Sequence, residues 1–452
     1  MKISYTDGRA LIILYKEEKM DTATVNGAPG NQIQEYSKSR WFIMIAMMVS
    51  WIGQGAQLLQ FAPVVGSVAE EFGLTAGQVS FYGMGLYSLV MGITAIIGGF
   101  LIDRFGASQF VLVCMAILFS MALLTPVMTQ SLSGIIALRL ICGAATGPII
   151  SAAAPLGVQY FPVKNRSIFM GVVGAGFPLG MTLSLLIMGV RLGQTGGDWR
   201  MSMFTISILP AIALVFIIAM IAVMRKIKTD ASASDAVKDN LTAKTAFTAV
   251  IRAPLFYLLI VANICMSWGK NGFTDLSPGY IALEPPTGLG YGAEYASYIS
   301  MLITIGMIIG SFVAGFLIDK VFKSRARPWL LIAFAILAIC IMLTKFGFIT
   351  SNTAVFSVVL FLVGFSVESL GPGLTGTVMT RFPPNVTAKV YGLCFGVGLF
   401  AASGGVMIGS MVLHVTSSYQ GVLLLLSIIA VVGFVLALFF NKAKAIREDK
   451  KA

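Results

Sequence analysis

From residue 41 to residue 440 the chain is a succession of long apolar runs separated by short polar turns. A helix that crosses a hydrocarbon core needs about 20 apolar residues. Twelve segments of that kind are predicted, at 41–66, 80–102, 109–130, 133–156, 167–190, 201–224, 254–281, 297–318, 328–349, 354–377, 388–412 and 420–440. The runs are unbroken, whereas barrel strands would show short stretches of alternating polarity, so the predicted elements are helices. The expected fold class is therefore an all-α membrane protein that crosses the bilayer many times.

Composition agrees with the pattern. Hydrophobic residues make up 57% of the chain and charged residues 11%, against about 25% charged in soluble domains. Mean hydropathy is +0.89. The net charge of +12 is distributed by topology. With the N-terminus placed inside, the inner segments carry Lys38, Arg40, Arg104, Lys164, Arg166, Lys320, Lys323, Arg325, Arg327, Arg381, Lys389 and a basic tail, while the outer loops carry Arg191, Arg200 and Lys345. That asymmetry predicts cytoplasmic termini and contact with an anionic leaflet of the bilayer. Nucleic-acid binding would need a basic soluble domain, and none is present. Cys114, Cys142, Cys265, Cys340 and Cys394 all lie inside apolar runs and read as packing residues.

The polar interruptions set the domain plan. Residues 1–40 read as a disordered cytoplasmic tail without signal-peptide architecture, with Met20 a candidate start. Six spans follow in 41–224, a cytoplasmic linker in 225–253, six more spans in 254–441 and a basic tail in 442–452. The stretch Leu241 to Ile251 within the linker suits a short helix on the membrane surface.

The two sets of six spans are copies. Gly-Phe-Leu-Ile-Asp stands at Gly99 to Asp103 before Arg104, and again at Gly315 to Asp319 before Lys320. Phe161-Pro162, Gly143 and Gly171 match Phe382-Pro383, Gly364 and Gly392 at an offset of 221, and Trp51 and Gly55 match Trp268 and Gly272 at 217. Parallel repeats place equivalent helices around a pseudo-two-fold axis along the membrane normal, with spans one, four, seven and ten central.

With these residues the chain resembles the major facilitator superfamily from about residue 41 to 440. Gly99-Phe-Leu-Ile-Asp103-Arg104-Phe-Gly106 is similar to that family's loop motif between spans two and three, and Gly315 to Lys320 is its second-half copy. Arg139-Leu-Ile-Cys-Gly143-Ala-Ala-Thr-Gly147 resembles the span-four motif, and Gly171 to Gly180 loosely resembles the span-five motif of exchangers. The resemblance implies two pseudo-symmetric six-helix bundles, transport by alternating access, and gating by Gly99, Asp103, Arg104, Gly315, Asp319 and Lys320. Glycine lets helices approach, and the aspartate can cap a neighbouring helix N-terminus and pair with loop cations such as Lys323, Arg325 and Arg327. It also implies a role for Arg139 in proton coupling, beside the plainer reading of an arginine bonded to backbone carbonyls.

Polar groups that survive inside the membrane are candidates for solute binding, because a charge there costs at least about 2.5 to 3.5 kcal/mol. These are Trp51, Gln54 and Gln57 in span one, Trp268, Lys270 and Asn271 in span seven, and Glu368 in span ten. Lys270 aligns with Gly53 and Glu368 with Gly147, so each charge belongs to one half only. An ammonium suits a carboxylate or sulfonate, and a buried carboxylate suits a proton carrier; a fixed Lys270–Glu368 pair is the structural alternative. Asp275 reads as a gate residue and the lone His414 as a surface residue. The glycines and proline of Gly272 to Tyr280 are expected to break span seven near its outer end.

Phosphate loops, metal-ligand clusters and enzyme motifs are missing, so no cofactor is expected and ATP-driven transport is excluded. The expected function is secondary active transport of a small organic anion, a monocarboxylate for choice, coupled to protons, in a monomeric multi-pass protein of the cell membrane, the inner membrane in a Gram-negative source. Proton-driven efflux of a drug or metabolite and a non-transporting solute receptor are the alternatives.

Overall fold

The computed structural model describes residues 39–61, 64–74, 78–79, 81–195, 198–225, 240–282, 285–286, 288–291, 293–416 and 418–440. The expectations for the N-terminal tail, the middle of the linker, the basic tail and the side chains of Asp103, Asp275 and His414 lie outside the described residues. Among those described, regular structure is helical throughout. The principal helices are α1 (Arg40–Leu59), α2 (Leu86–Phe105), α3 (Ala107–Met128), α4 (Leu132–Tyr160), α5 (Arg166–Gln194), α6 (Ile208–Met224), α7 (Pro254–Ser267), α8 (Ala293–Phe316), α9 (Ala326–Leu343), α10 (Thr353–Arg381), α11 (Thr387–Thr416) and α12 (Tyr419–Phe439).

Eleven of the twelve expected segments are helices long and apolar enough to cross a membrane. The seventh is divided: α7 runs into a π-turn, Trp268–Gly272, and then into the helix Phe273–Ala282. The break expected at Gly272 to Tyr280 is thus a correction, since this stretch stays helical. Open coil at membrane depth would leave peptide groups without partners. The register widens by one residue at the π-turn instead, and such turns favour functional positions. The linker helix appears at Asn240–Ile251, close to the expected range. Span one is shorter than expected, ending at Leu59, and a separate helix Val65–Phe72 follows it.

Local sequence explains where helices start. Ser131 accepts a hydrogen bond from the Gly134 N–H at 3.1 Å and opens α4, and Asn352 accepts from Ala354 and Val355 to open α10. Both satisfy N–H groups that the first turn leaves over. Asp198 does the same for the helix Trp199–Thr205. Arg200, on that helix, holds Glu71 through a 3.0 Å bond and stacks on Trp199 at 4.2 Å, tying the outer loops of the first half together. The Arg200 guanidinium keeps the Glu71 carboxyl below the usual carboxylate range.

The sequence repeat is visible in the packing. In the first half α1 lies on α5 and α6, α2 and α3 lie on α4, and α3 meets α6. In the second half α7 lies on α11 and α12, α8 and α9 lie on α10, and α9 meets α12. The halves meet mainly through α2 with α11 and α5 with α8, which are equivalent pairs.

Glycines set how close these helices come. A Cβ on Gly364 would stand 1.9 Å from the Ile303 carbonyl oxygen, and one on Gly180 2.0 Å from that of Ile52. Two turns further along α10, a Cβ on Gly371 would meet nothing within 4 Å. Overpacking costs about 1–3 kcal/mol, whereas an unobstructed Gly→Ala change in a helix gains a few tenths or more. Gly364→Ala is therefore expected to lower the melting temperature of the purified protein by several degrees, and Gly371→Ala to leave it level or raise it. Equal effects of the two changes in a thermal unfolding assay would contradict the packing.

Candidate functional site

The π-turn after α7 carries Lys270 toward α10, where its Nζ lies 2.6 Å from an oxygen of Glu368. The two side chains retain 23% and 11% of their exposure, so the pair is largely but not wholly enclosed. Lys270 also lies 5.7 Å from the ring of Phe177 on α5, which brings it against the first half. Phe177 in turn packs its carbonyl against Gly55 of α1. The residues of this joint thus come from α1, α5, the π-turn after α7 and α10.

Trp51 is buried on α1 with its Cβ against Gly176, and the half-buried Trp268 lies over Gly405. Their indole nitrogens, both in equivalent positions of the repeat, have no hydrogen-bond acceptor among the described residues. Gln54 donates to the Ser50 carbonyl at 3.2 Å, and Gln57 accepts from Gln60 at 2.8 Å, leaving Gln54 Oε1 and Gln57 Nε2 unpaired. Both glutamines are fully buried, and these bonds stay within α1 and the turn after it. Asn271 is half-buried on the π-turn beside Lys270.

Two further side chains sit near the pair and were missed in the sequence. The Tyr391 hydroxyl on α11 lies within electrostatic range of Glu368 and beside Thr375 on α10; both residues are fully buried, and neither hydroxyl has a hydrogen-bond partner among the described residues. The repeat held the signal: at the offset of 221, Thr375 stands opposite Ala154 and Tyr391 opposite Met170. Like Lys270 and Glu368, they are polar in one half and apolar in the other.

Arg139 does not reach Glu368 or any other carboxylate among the described residues. Its guanidinium donates to the backbone carbonyls of Gly83, of Gln57 at 2.6 Å and of Leu58 at 2.8 Å. It is fully buried between the rings of Phe61 and Tyr87, at 5.0 and 4.5 Å. The carbonyls of Gln57 and Leu58 belong to the last turn of α1, where helical partners run out. Arg139 therefore joins α1, α2 and α4 by supplying donors at a helix end.

At the opposite end of the helices, Asp319 accepts from the Ile168 N–H at 2.8 Å, in the first turn of α5, and from the Ser324 hydroxyl at 3.0 Å. A carboxylate at a helix N-terminus is the arrangement that the free N–H groups favour. Lys323, Arg325 and Arg327 do not pair with it; among the described residues no cation lies within 4.0 Å. The chain turns through left-handed conformations at Lys323 and Ser324, with φ of 51° and 59°, and this presents the serine rather than a cation. Lys320 and Arg104 are exposed, the latter 5.5 Å from the Phe105 ring.

The repeated glycines sit at this same end. A Cβ on Gly99 would stand 2.6 Å from the Ala388 carbonyl oxygen, and one on Gly315 2.6 Å from that of Ser167. Their facing partners are Gly392 and Gly171, also related by the repeat. The halves are sealed backbone to backbone here by α2, α5, α8 and α11, whereas the Lys270–Glu368 pair is carried by the π-turn after α7 and by α10.

Arg139→Lys retains a charge but not the fork that reaches three carbonyls, and each buried carbonyl left unpaired costs about 1–3 kcal/mol. The expected result is a melting temperature lower by several degrees in differential scanning fluorimetry. An unchanged value would show that the three bonds contribute nothing.

Comparison with known proteins places these features. The family model described as Major Facilitator Superfamily matches residues 42–405 and 289–452. A cis,cis-muconate transport protein of Acinetobacter baylyi is 26% identical over 368 residues, covering 80% of this chain and 84% of that protein. A gallate transporter of Pseudomonas putida is 24% identical over 422 residues, covering 88% and 90%. Among solved structures, the proton:xylose symporter XylE superposes with a TM-score of 0.71 at 14% identity, covering 90% of this chain and 96% of the other. A human organic anion transporter superposes with a TM-score of 0.66 at 15% identity, covering 89% and 100%. The chain is a multi-pass membrane transporter and belongs to the major facilitator superfamily.

Proposed function

We propose that this transporter carries a small organic anion, with a carboxylate as the group recognised, by alternating access coupled to protons. The observation that carries the reading is the Lys270–Glu368 pair, 2.6 Å long and held on opposing central helices. In the first half the equivalent positions are Gly53 and Gly147. Relatives named for muconate and gallate transport support an organic anion as the solute.

The pair suggests how binding is coupled to movement. An incoming carboxylate competes with Glu368 for the Lys270 ammonium. Once displaced, Glu368 is a lone carboxylate in the membrane interior, where an unpaired charge costs several kcal/mol. A proton removes that charge, so the solute and the proton load together. The unpaired indole nitrogens of Trp51 and Trp268, the Gln54 Oε1 and the Gln57 Nε2 are donors and acceptors left over for the rest of the solute. Asn271 lies beside the cation, and the Trp268 ring offers an apolar wall.

The movement follows from the seal. Gly99, Gly315 and Asp319 bring the halves together at one end, and their separation would open the site on that side while the opposite side closes. The cation distribution supports a cytoplasmic sealed end, with both chain termini on that side. Arg139, bonded to three carbonyls, acts in this scheme by holding the first bundle together as it rocks.

Purified protein in proteoliposomes tests the proposal. Uptake of a radiolabelled carboxylate such as cis,cis-muconate or gallate is expected to rise about tenfold or more under an inward proton gradient. Glu368→Gln should abolish that accumulation while solute exchange persists, and Lys270→Ala should remove carboxylate binding. Proton-driven accumulation by Glu368→Gln at the wild-type level would remove Glu368 from the coupling.

A further inference from the structure

The duplicated Phe-Pro dipeptides leave a matched pair of vacancies. Proline has no N–H, so the carbonyl four residues before it loses its helical donor. Before Pro162 that carbonyl belongs to Val158, in the last turn of α4, and before Pro383 it belongs to Met379, in the last turn of α10. The two are equivalent at the repeat offset of 221 and occupy the same place from the ends of the two central helices.

One side chain serves both. Arg166, buried at the start of α5, donates from Nη1 to the Met379 oxygen at 2.6 Å and from Nη2 to the Val158 oxygen at 3.2 Å. Its Nε donates to the Phe161 oxygen at 3.1 Å. Reaching the same carbonyl in each half places the guanidinium close to the pseudo-two-fold axis. The position equivalent to Arg166 is Thr387, whose hydroxyl donates to Pro383 of its own half at 3.1 Å. The cation also lies at two helix C-termini, the end whose dipole attracts positive charge.

We propose that Arg166 is a positioning residue for the transport cycle, a latch that holds α4 and α10 together at the sealed end through the Val158 and Met379 carbonyls. Separation of the halves at this end breaks the bond to Met379 and leaves the bonds to Val158 and Phe161, which move with Arg166. The latch therefore favours the sealed state without touching the solute. A lysine cannot replace it, because one ammonium lacks the fork that spans two carbonyls.

The proposal rests on the alternating-access reading, but its test needs no solute. Ser151 is fully buried at the seam between the halves, with its Oγ against Gly392, and a cysteine there reports separation. Cys142, fully buried within the first bundle, reports unfolding. In the full-length Ser151→Cys protein in nanodiscs, maleimide labelling at position 151 is followed by mass spectrometry with and without Arg166→Gln. Loss of one charged hydrogen bond from the sealed state predicts a labelling rate about tenfold higher, with Cys142 unmodified. Arg166→Lys should move the rate in the same direction by a smaller factor. Unchanged labelling at 151 in a folded variant overturns the latch. Cys142 labelling in both variants also overturns it, since Arg166 then serves the folding of the bundle. Absence of carboxylate flux in the wild type would sink the transport reading and leave the labelling contrast to decide the latch by itself.

Discussion

A peptide group inside a hydrocarbon layer has no water to turn to, and its partners must come from the protein. Three buried charged side chains among the described residues answer that demand. Arg139 supplies donors to three carbonyls at the end of α1 and around Gly83, and Asp319 accepts from the first turn of α5. Arg166 fills the vacancies made by two prolines. Each is a charged group turned to backbone service at a helix end. Lys270 and Glu368 differ, because within the membrane-spanning part of the described residues they form the one ion pair between side chains. A bond between side chains can be exchanged for a bond to a solute, whereas a helix end cannot be left open for one.

The two halves show the same division. What they share is mechanical: the facing pairs Gly99 with Gly392 and Gly171 with Gly315, the Phe-Pro helix ends, and the matching helix contacts. What they do not share is chemical: Lys270, Glu368, Thr375 and Tyr391 stand where the first half has Gly53, Gly147, Ala154 and Met170. In the proposed cycle, a symmetric frame would give the two alternating states comparable packing, and an asymmetric lining would give the solute one preferred pose.

The frame was legible in the sequence because membrane thickness sets span length and the repeat fixes helix equivalence. Eleven spans appear as helices long and apolar enough to cross a membrane, and the seventh was misread near its outer end because Gly272 and Pro278 look like breakers in water. In lipid the backbone stays helical and absorbs the disturbance in a π-turn. At the site, the asymmetry of the repeat singled out Lys270 and Glu368, and their pairing was the structural alternative to separate binding and proton-carrying roles. Thr375 and Tyr391 carried the same signal and were overlooked, since hydroxyls are less conspicuous than charges in an apolar run. The function of Arg139 was open between two readings, as sequence gives no distance to a carbonyl. The loop cations expected on Asp319 were misplaced because the left-handed turn at Lys323 and Ser324 redirects the chain.

Exchange of Glu368 for a solute carboxylate is the central claim, and proton uptake on binding tests it most directly. Purified protein in a weakly buffered detergent solution near neutral pH is titrated with a carboxylate solute while the pH is recorded. Displacement of Glu368 predicts that about one proton is taken up for each solute bound by the wild type, and none by Glu368→Gln. Equal uptake by the two proteins, or wild-type binding without uptake, would contradict it.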